Sequence, residues 1–140
     1  MKRLAQFYID VLQCRTVPPE RDLSGTWVDE LTRIPAVHIR GMHLLLPGWG
    51  ENGPTLEIFS YNSDRAGSND PAINDAGFGH IAFSVDNVDE VVARIIDAGG
   101  GLLGSIVRRE FEGIGTLTVA YCSDPEGNFI EIQNWAKEDE

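Results

Sequence analysis

Three side chains are placed where they could do chemistry together. His80 lies in Gly77-Phe78-Gly79-His80-Ile81-Ala82-Phe83-Ser84-Val85-Asp86, which alternates like a half-buried strand. Phe78, His80, Ala82 and Ser84 share one face and Ile81, Phe83 and Val85 the other. Glu57 and Glu131 occupy matching places in two similar stretches. Leu56-Glu57-Ile58-Phe59-Ser60-Tyr61 and Ile130-Glu131-Ile132-Gln133-Asn134-Trp135 both read apolar, Glu, Ile, two free positions, aromatic. A glutamate on the inner face of a strand is costly unless it is paired or binds a metal. A His/Glu/Glu set of N and O donors suits Zn, Ni, Co, Mn or Fe(II). The spacing allows a plainer arrangement equally well, with both glutamates on outward faces of edge strands and His80 as a packing residue.

The elements that must position these residues also come in two sets. Leu4, Phe7, Tyr8, Val11 and Leu12 mark one face of an opening helix. Val88, Val91, Val92, Ile95 and Ile96 repeat that spacing after the His80 strand, with Asp86 or Asn87 as the cap. Gly99-Gly100-Gly101 stops the second helix. Residues 14–25, broken by Pro18-Pro19, read as loop. Thr26 starts a short helix whose stripe is Trp27, Leu31 and Ile34 and which ends at Pro35. Strands are expected over 36–46, 55–61, 102–107, 115–122 and 128–135, with a turn at Asp124-Pro125-Glu126-Gly127.

These elements describe one βαβββ unit used twice. The fold class is α+β, with two βαβββ modules. Module 1 covers about 1–62, a polar linker about 63–76 and module 2 about 77–135. The first copy lacks the strand that would match the His80 strand, so that strand is expected upstream of Met1.

Composition limits the partners. With 140 residues and 42% apolar content, the chain can bury a real core. A net charge of −11 argues against nucleic acid or an anionic membrane as partner. No secretory signal or membrane-spanning run is present, and two cysteines do not make a disulfide scaffold, so a reduced, cytoplasmic location is expected. Cys14 and Cys122 read as buried small hydrophobes, and His38 and His43, on opposite strand faces, as structural or surface residues. Arg40, Arg108 and Arg109 are too scattered to mark a substrate pocket.

The chain resembles the vicinal oxygen chelate superfamily of glyoxalase I, methylmalonyl-CoA epimerase, extradiol dioxygenases and fosfomycin and bleomycin resistance proteins. The resemblance is carried by Phe7-Tyr8-Ile9-Asp10-Val11-Leu12, by Leu56-Glu57-Ile58-Phe59 and by the His80 strand. It continues through Ser123-Asp124-Pro125-Glu126-Gly127-Asn128-Phe129-Ile130-Glu131-Ile132 and covers nearly the whole chain. It implies two βαβββ modules forming an open, curved, mixed sheet, a divalent metal held by Glu57, His80 and Glu131, a small-molecule substrate and a homodimer. The fourth ligand of the lyase and epimerase branches, usually His or Gln on the first strand, has no counterpart here.

A glutamate at position 57 points to proton-transfer chemistry in that family. The implied function is a metal-dependent lyase, isomerase or epimerase acting through an enediolate or enolate, with Glu57 or Glu131 as general base. Phe59, Tyr61, Ala82, Ser84, Gln133 and Trp135 are expected to line the substrate pocket, with core or rim packing as the plainer role. Two alternatives stand beside it. One is an Fe(II) extradiol-type dioxygenase; the other is a metal-free protein that sequesters a drug or another ligand.

Overall fold

The computed structural model describes residues 1–63 and 72–137. The chain divides into two compact units, Met1–Asn69 and Asp70–Glu140. Most of the expected linker lies outside the described residues.

The first unit runs α1 (Lys2–Asp10), β1 (Arg15–Ser24), α2 (Thr26–Thr32), β2 (His38–Leu45) and β3 (Thr55–Tyr61). Its sheet is antiparallel in the order β1-β2-β3. Helix α1 packs on β2 and buries Leu4, Phe7 and Tyr8, with Val11 and Leu12 buried just after it. The amphipathic spacing of the opening helix is therefore its packing face.

Two expectations fail in this unit. Residues 15–24 form a strand, not a loop. Pro18 and Pro19 fall where the β1–β2 register shifts, between Val17 and Arg21, on a strand that has β2 as its neighbour. Proline is tolerated at such bulges because no ladder hydrogen bond is demanded of it. Helix α2 also turns a different face inward. Val28 is fully buried, whereas Trp27 and Leu31 are 56% and 75% exposed. Val28 joins Val37 and Ile39, with Leu23, Ile34, Phe59 and Tyr61 packed around them. The helix cap is Gly25, at φ 100°, rather than Thr26. Asp29 holds the exit, accepting hydrogen bonds from the backbone of Ala36 and Val37, each at 3.0 Å.

The second unit runs β4 (Ile81–Ser84), α3 (Val88–Asp97), β5 (Gly101–Phe111), β6 (Gly115–Ser123) and β7 (Phe129–Ala136). This is the expected βαβββ order. The sheet order is β4-β7-β6-β5, with β4 parallel to β7 and the other pairs antiparallel. Asn87 caps α3 by accepting from the Glu90 backbone at 3.1 Å. The helix packs on β5, β6 and β7 and buries Val88, Val92 and Ile95. Phe83, Ala120, Cys122, Ile130 and Ile132 are the buried hydrophobic residues of these strands. The opposite sheet face carries His80 and Glu131.

The repeat is visible in the irregularities of the two sheets. In β1–β2, Val17 pairs with His43 and Arg21 with Gly41. In β5–β6, Leu103 pairs with Tyr121 and Val107 with Val119. Each first strand therefore carries the same bulge. Each bulge lies beside the residue that faces the conserved-in-pattern glutamate, because His43 pairs with Glu57 and Tyr121 with Glu131.

Candidate functional site: two glutamate strands

In the second unit the turn before β7 fixes where Glu131 falls. Asp124, 2% exposed, accepts hydrogen bonds from the Glu126 and Asn128 backbones at 2.9 and 3.0 Å and from Asn128 Nδ2 at 2.8 Å. Its own N–H donates to the Asn128 carbonyl at 2.9 Å. The Asp-Pro-Glu-Gly-Asn stretch is thus a register lock. It places Glu131 between Tyr121 on β6 and Ala82 on β4.

His80 immediately precedes β4 on the same face as Ala82. Its Nε2 lies 3.0 Å from Glu131 Oε2, and its ring meets Tyr121 edge-on at 5.0 Å. The His80 and Glu131 side chains are 31% and 17% exposed. Two ligands bound to one ion at about 2.0–2.2 Å each sit roughly 3 Å apart, so this separation fits a shared divalent ion. Ser84 pairs with Gln133 in the next row, and Trp135 follows on β7. Ala82, Ser84, Gln133 and Trp135 accordingly share the His80 and Glu131 face.

In the first unit Glu57 is more open, at 51% side-chain exposure, and its neighbour is His43, with Nε2 3.6 Å from Oε1. Arg21 Nη2 approaches His43 Nδ1 at 3.3 Å. A guanidinium has only donors, so Nδ1 must accept and the imidazole proton sits on Nε2, towards Glu57. His43 also borders a hollow of about 180 Å³ with Thr16, Val17, Pro18, Glu20 and Met42. Phe59 and Tyr61 belong to the small core beneath α2. The Phe59 ring lies over Gly41, where a Cβ would come within 2.0 Å of it.

The structure thus pairs two of the three expected ligands, His80 and Glu131, and places Glu57 beside His43. Sequence reasoning passed over His43. The signal was the hairpin register, since the turn closed by Leu46 N–H to the Pro54 carbonyl sets His43 opposite Glu57. Within neither unit do three or more His, Cys, Asp or Glu side chains of the described residues gather around one point. Cys14 and Cys122 are buried and free, and burial raises both thiols to about 11. Their assignment as packing residues agrees with that.

The profile of the Glyoxalase/Bleomycin resistance protein/Dioxygenase superfamily matches residues 1–132. The chain belongs to that superfamily. Solved structures with the same fold include a glyoxalase family protein from Bacillus cereus, 18% identical, with TM-score 0.73 over 87% of this chain and 78% of the other. The trypanothione-dependent glyoxalase I of Leishmania major is 22% identical, with TM-score 0.55 over 96% of this chain and 78% of that one. The genomically encoded fosfomycin resistance protein of Listeria monocytogenes is 18% identical, with TM-score 0.53 over 99% and 85%. No curated protein matches the chain. At these identities the superfamily member shares its neighbours' fold, and its chemistry must be argued from its own residues. Among the described residues, no helix is long and apolar enough to cross a membrane.

Proposed function

We propose that the protein is a metal-dependent lyase, isomerase or epimerase of the glyoxalase type, acting as a homodimer on a small substrate with two adjacent oxygens. The observation that carries this reading is the 3.0 Å approach of His80 Nε2 to Glu131 Oε2 on an accessible sheet face. A neutral imidazole and a carboxylate at that separation are a competent half of a Zn, Ni, Co, Mn or Fe(II) site. Glu57 is assigned to the same reading, as ligand or base, on the strength of the repeat alone. A bound divalent ion would supply Lewis-acid polarisation of the substrate oxygens.

The chain's own residues account for the rest. With an ion bound, His80 Nε2 and Glu131 Oε2 would both turn their lone pairs to it in place of their hydrogen bond, and the Tyr121 ring edge limits how the imidazole can turn. Glu131, only 17% exposed, is the better sheltered carboxylate and takes a proton from the carbon beside the substrate carbonyl. The proton returns to the neighbouring carbon or to the same carbon from the other face. Isomerisation and epimerisation differ only in that choice. Ala82 and Ser84 present small side chains beside this pair and leave room for a substrate.

The test is solvent-deuterium exchange followed by NMR. The protein is loaded in turn with Ni, Zn, Co and Mn and offered a panel of small α-hydroxycarbonyl compounds and thioesters. Deuterium should enter at the carbon next to the carbonyl, and the rate should fall by about 10²- to 10⁴-fold in Glu131→Gln. Oxygen uptake with catechols by the Fe(II) protein, without any exchange, would replace this reading with the dioxygenase one.

A further inference from the structure

The sequence leaves three arginines open, and the structure sorts them. Arg40 lies near Asp22, with Nε 3.8 Å from Oδ2. Arg108 pairs with Asp89 on α3. Arg109, one residue further on, points to the other side of β5 and forms no ion pair among the described residues. It does so in a chain with 22 acidic and 11 basic residues, where acidic partners are plentiful. Its guanidinium lies over the Phe111 ring, 5.3 Å from the centroid. Phe111 in turn meets Trp135, with ring centroids 5.5 Å apart and planes at 47°.

This grouping is held in place by the sheet. Arg109 pairs with Leu117, and Leu117 with Trp135, so the three share a row on the face of His80 and Glu131. Phe111 pairs with Gly115, at φ 128°, where a Cβ would come within 2.2 Å of the Ala136 carbonyl oxygen. Gly115 thus lets β6 approach the end of β7 closely, beside the Phe111–Trp135 ring contact. Trp135 Nε1–H donates to Gln133 Oε1 at 3.3 Å, which sets the indole orientation, yet the side chain stays 43% exposed. A core residue of this size would be covered. Here an exposed cation and an exposed indole stand on either side of a half-buried Phe111 ring.

We propose that Arg109, Phe111 and Trp135 form a subsite for a flat, unsaturated group carrying a carboxylate. The rings take the planar face and the guanidinium takes the anion. Trp135 is four residues beyond Glu131 on β7, about 13 Å along the strand. Building on the assignment of His80 and Glu131 as the reacting end, the substrate class is an elongated one. Its oxygen-bearing end lies at that pair and its aromatic acid end at Arg109.

The experiment titrates the full chain with naphthalene-2-carboxylate and, separately, with its neutral carboxamide. The readout is the Trp135 indole N–H resonance, assigned with Trp135→Phe. A saturable shift is expected with the carboxylate, binding roughly tenfold more tightly than the carboxamide. Arg109→Gln, a surface change that leaves the fold intact, should erase that preference. Glu131→Gln should leave it unchanged, so failure of the reacting-end assignment does not disturb this result. An unmoved indole resonance would overturn the proposal. So would equal binding of the two probes, or a preference that survives Arg109→Gln.

Discussion

Strands β3 and β7 carry the same glutamate in the same local pattern, and each glutamate meets a histidine. The histidines arrive from opposite sides. Glu131 receives His80 from the residue just before β4, the parallel neighbour of β7. Glu57 receives His43 from β2, its antiparallel neighbour, and among the described residues β3 has no other strand beside it. The consequence is a difference in environment. Glu131 is flanked on both edges and 17% exposed, and its histidine is within hydrogen-bond distance. Glu57 is 51% exposed, and its histidine is further away and partly occupied by Arg21. A repeated motif therefore does not guarantee a repeated site. What decides is which strands pair on either side of it.

The comparison predicts unequal effects from equivalent changes. Each unit has an aspartate that closes a connection by accepting backbone N–H groups, Asp124 before β7 and Asp29 after α2. Asp124 is buried and also binds Asn128, so Asp124→Ala removes three hydrogen bonds from the turn at once. It should cost about 2–3 kcal/mol in denaturant unfolding, at about 1 kcal/mol for each hydrogen bond lost. Asp29→Ala, at a partly exposed position, should cost about 1 kcal/mol. Equal losses would mean that the Asp124 turn does not fix the register of Glu131.

A smaller effect belongs to the first unit. Asp22 accepts from His38 at 2.6 Å, and that bond, helped by the His38 and Arg40 charges, holds its carboxyl below the usual 3.8. A carboxyl depressed on folding contributes stability above the unfolded value and loses it as pH falls through the folded one. Unfolding free energy should therefore decline below about pH 3.8, and His38→Ala should flatten that decline slightly, Asp22 being fully exposed. An identical acid limb in both proteins would remove His38 as the cause.

Much of this was legible in the residues. The spacing of Leu4, Phe7, Tyr8, Val11 and Leu12 corresponds to a buried face; of Val88, Val91, Val92, Ile95 and Ile96, Val88, Val92 and Ile95 are buried, Val91 is half-buried and Ile96 is exposed at the edge of the stripe. The His80–Glu131 approach followed from placing both on one face of neighbouring strands. The rest depended on pairing that no single stretch contains. Strand β1 was hidden by Pro18-Pro19, which mark a bulge against β2 and not a loop. Val28 replaced Trp27 and Leu31 as the inward face of α2 because the helix is too short for its periodicity to be decided locally. His43 was set aside since its partner became visible only with the β2–β3 register. Arg109 separated from Arg108 only once β5 had an inner and an outer face.

The central claim is that His80 and Glu131 together hold a divalent ion. Cobalt(II) titration followed by visible absorbance tests it directly. The wild-type chain should bind cobalt with saturable ligand-field bands, and His80→Ala and Glu131→Gln should each lose more than the roughly 10–100-fold in affinity that follows loss of a mere supporting contact. Cobalt bands that are absent from the wild-type protein, or that persist unchanged in both variants, would contradict the account.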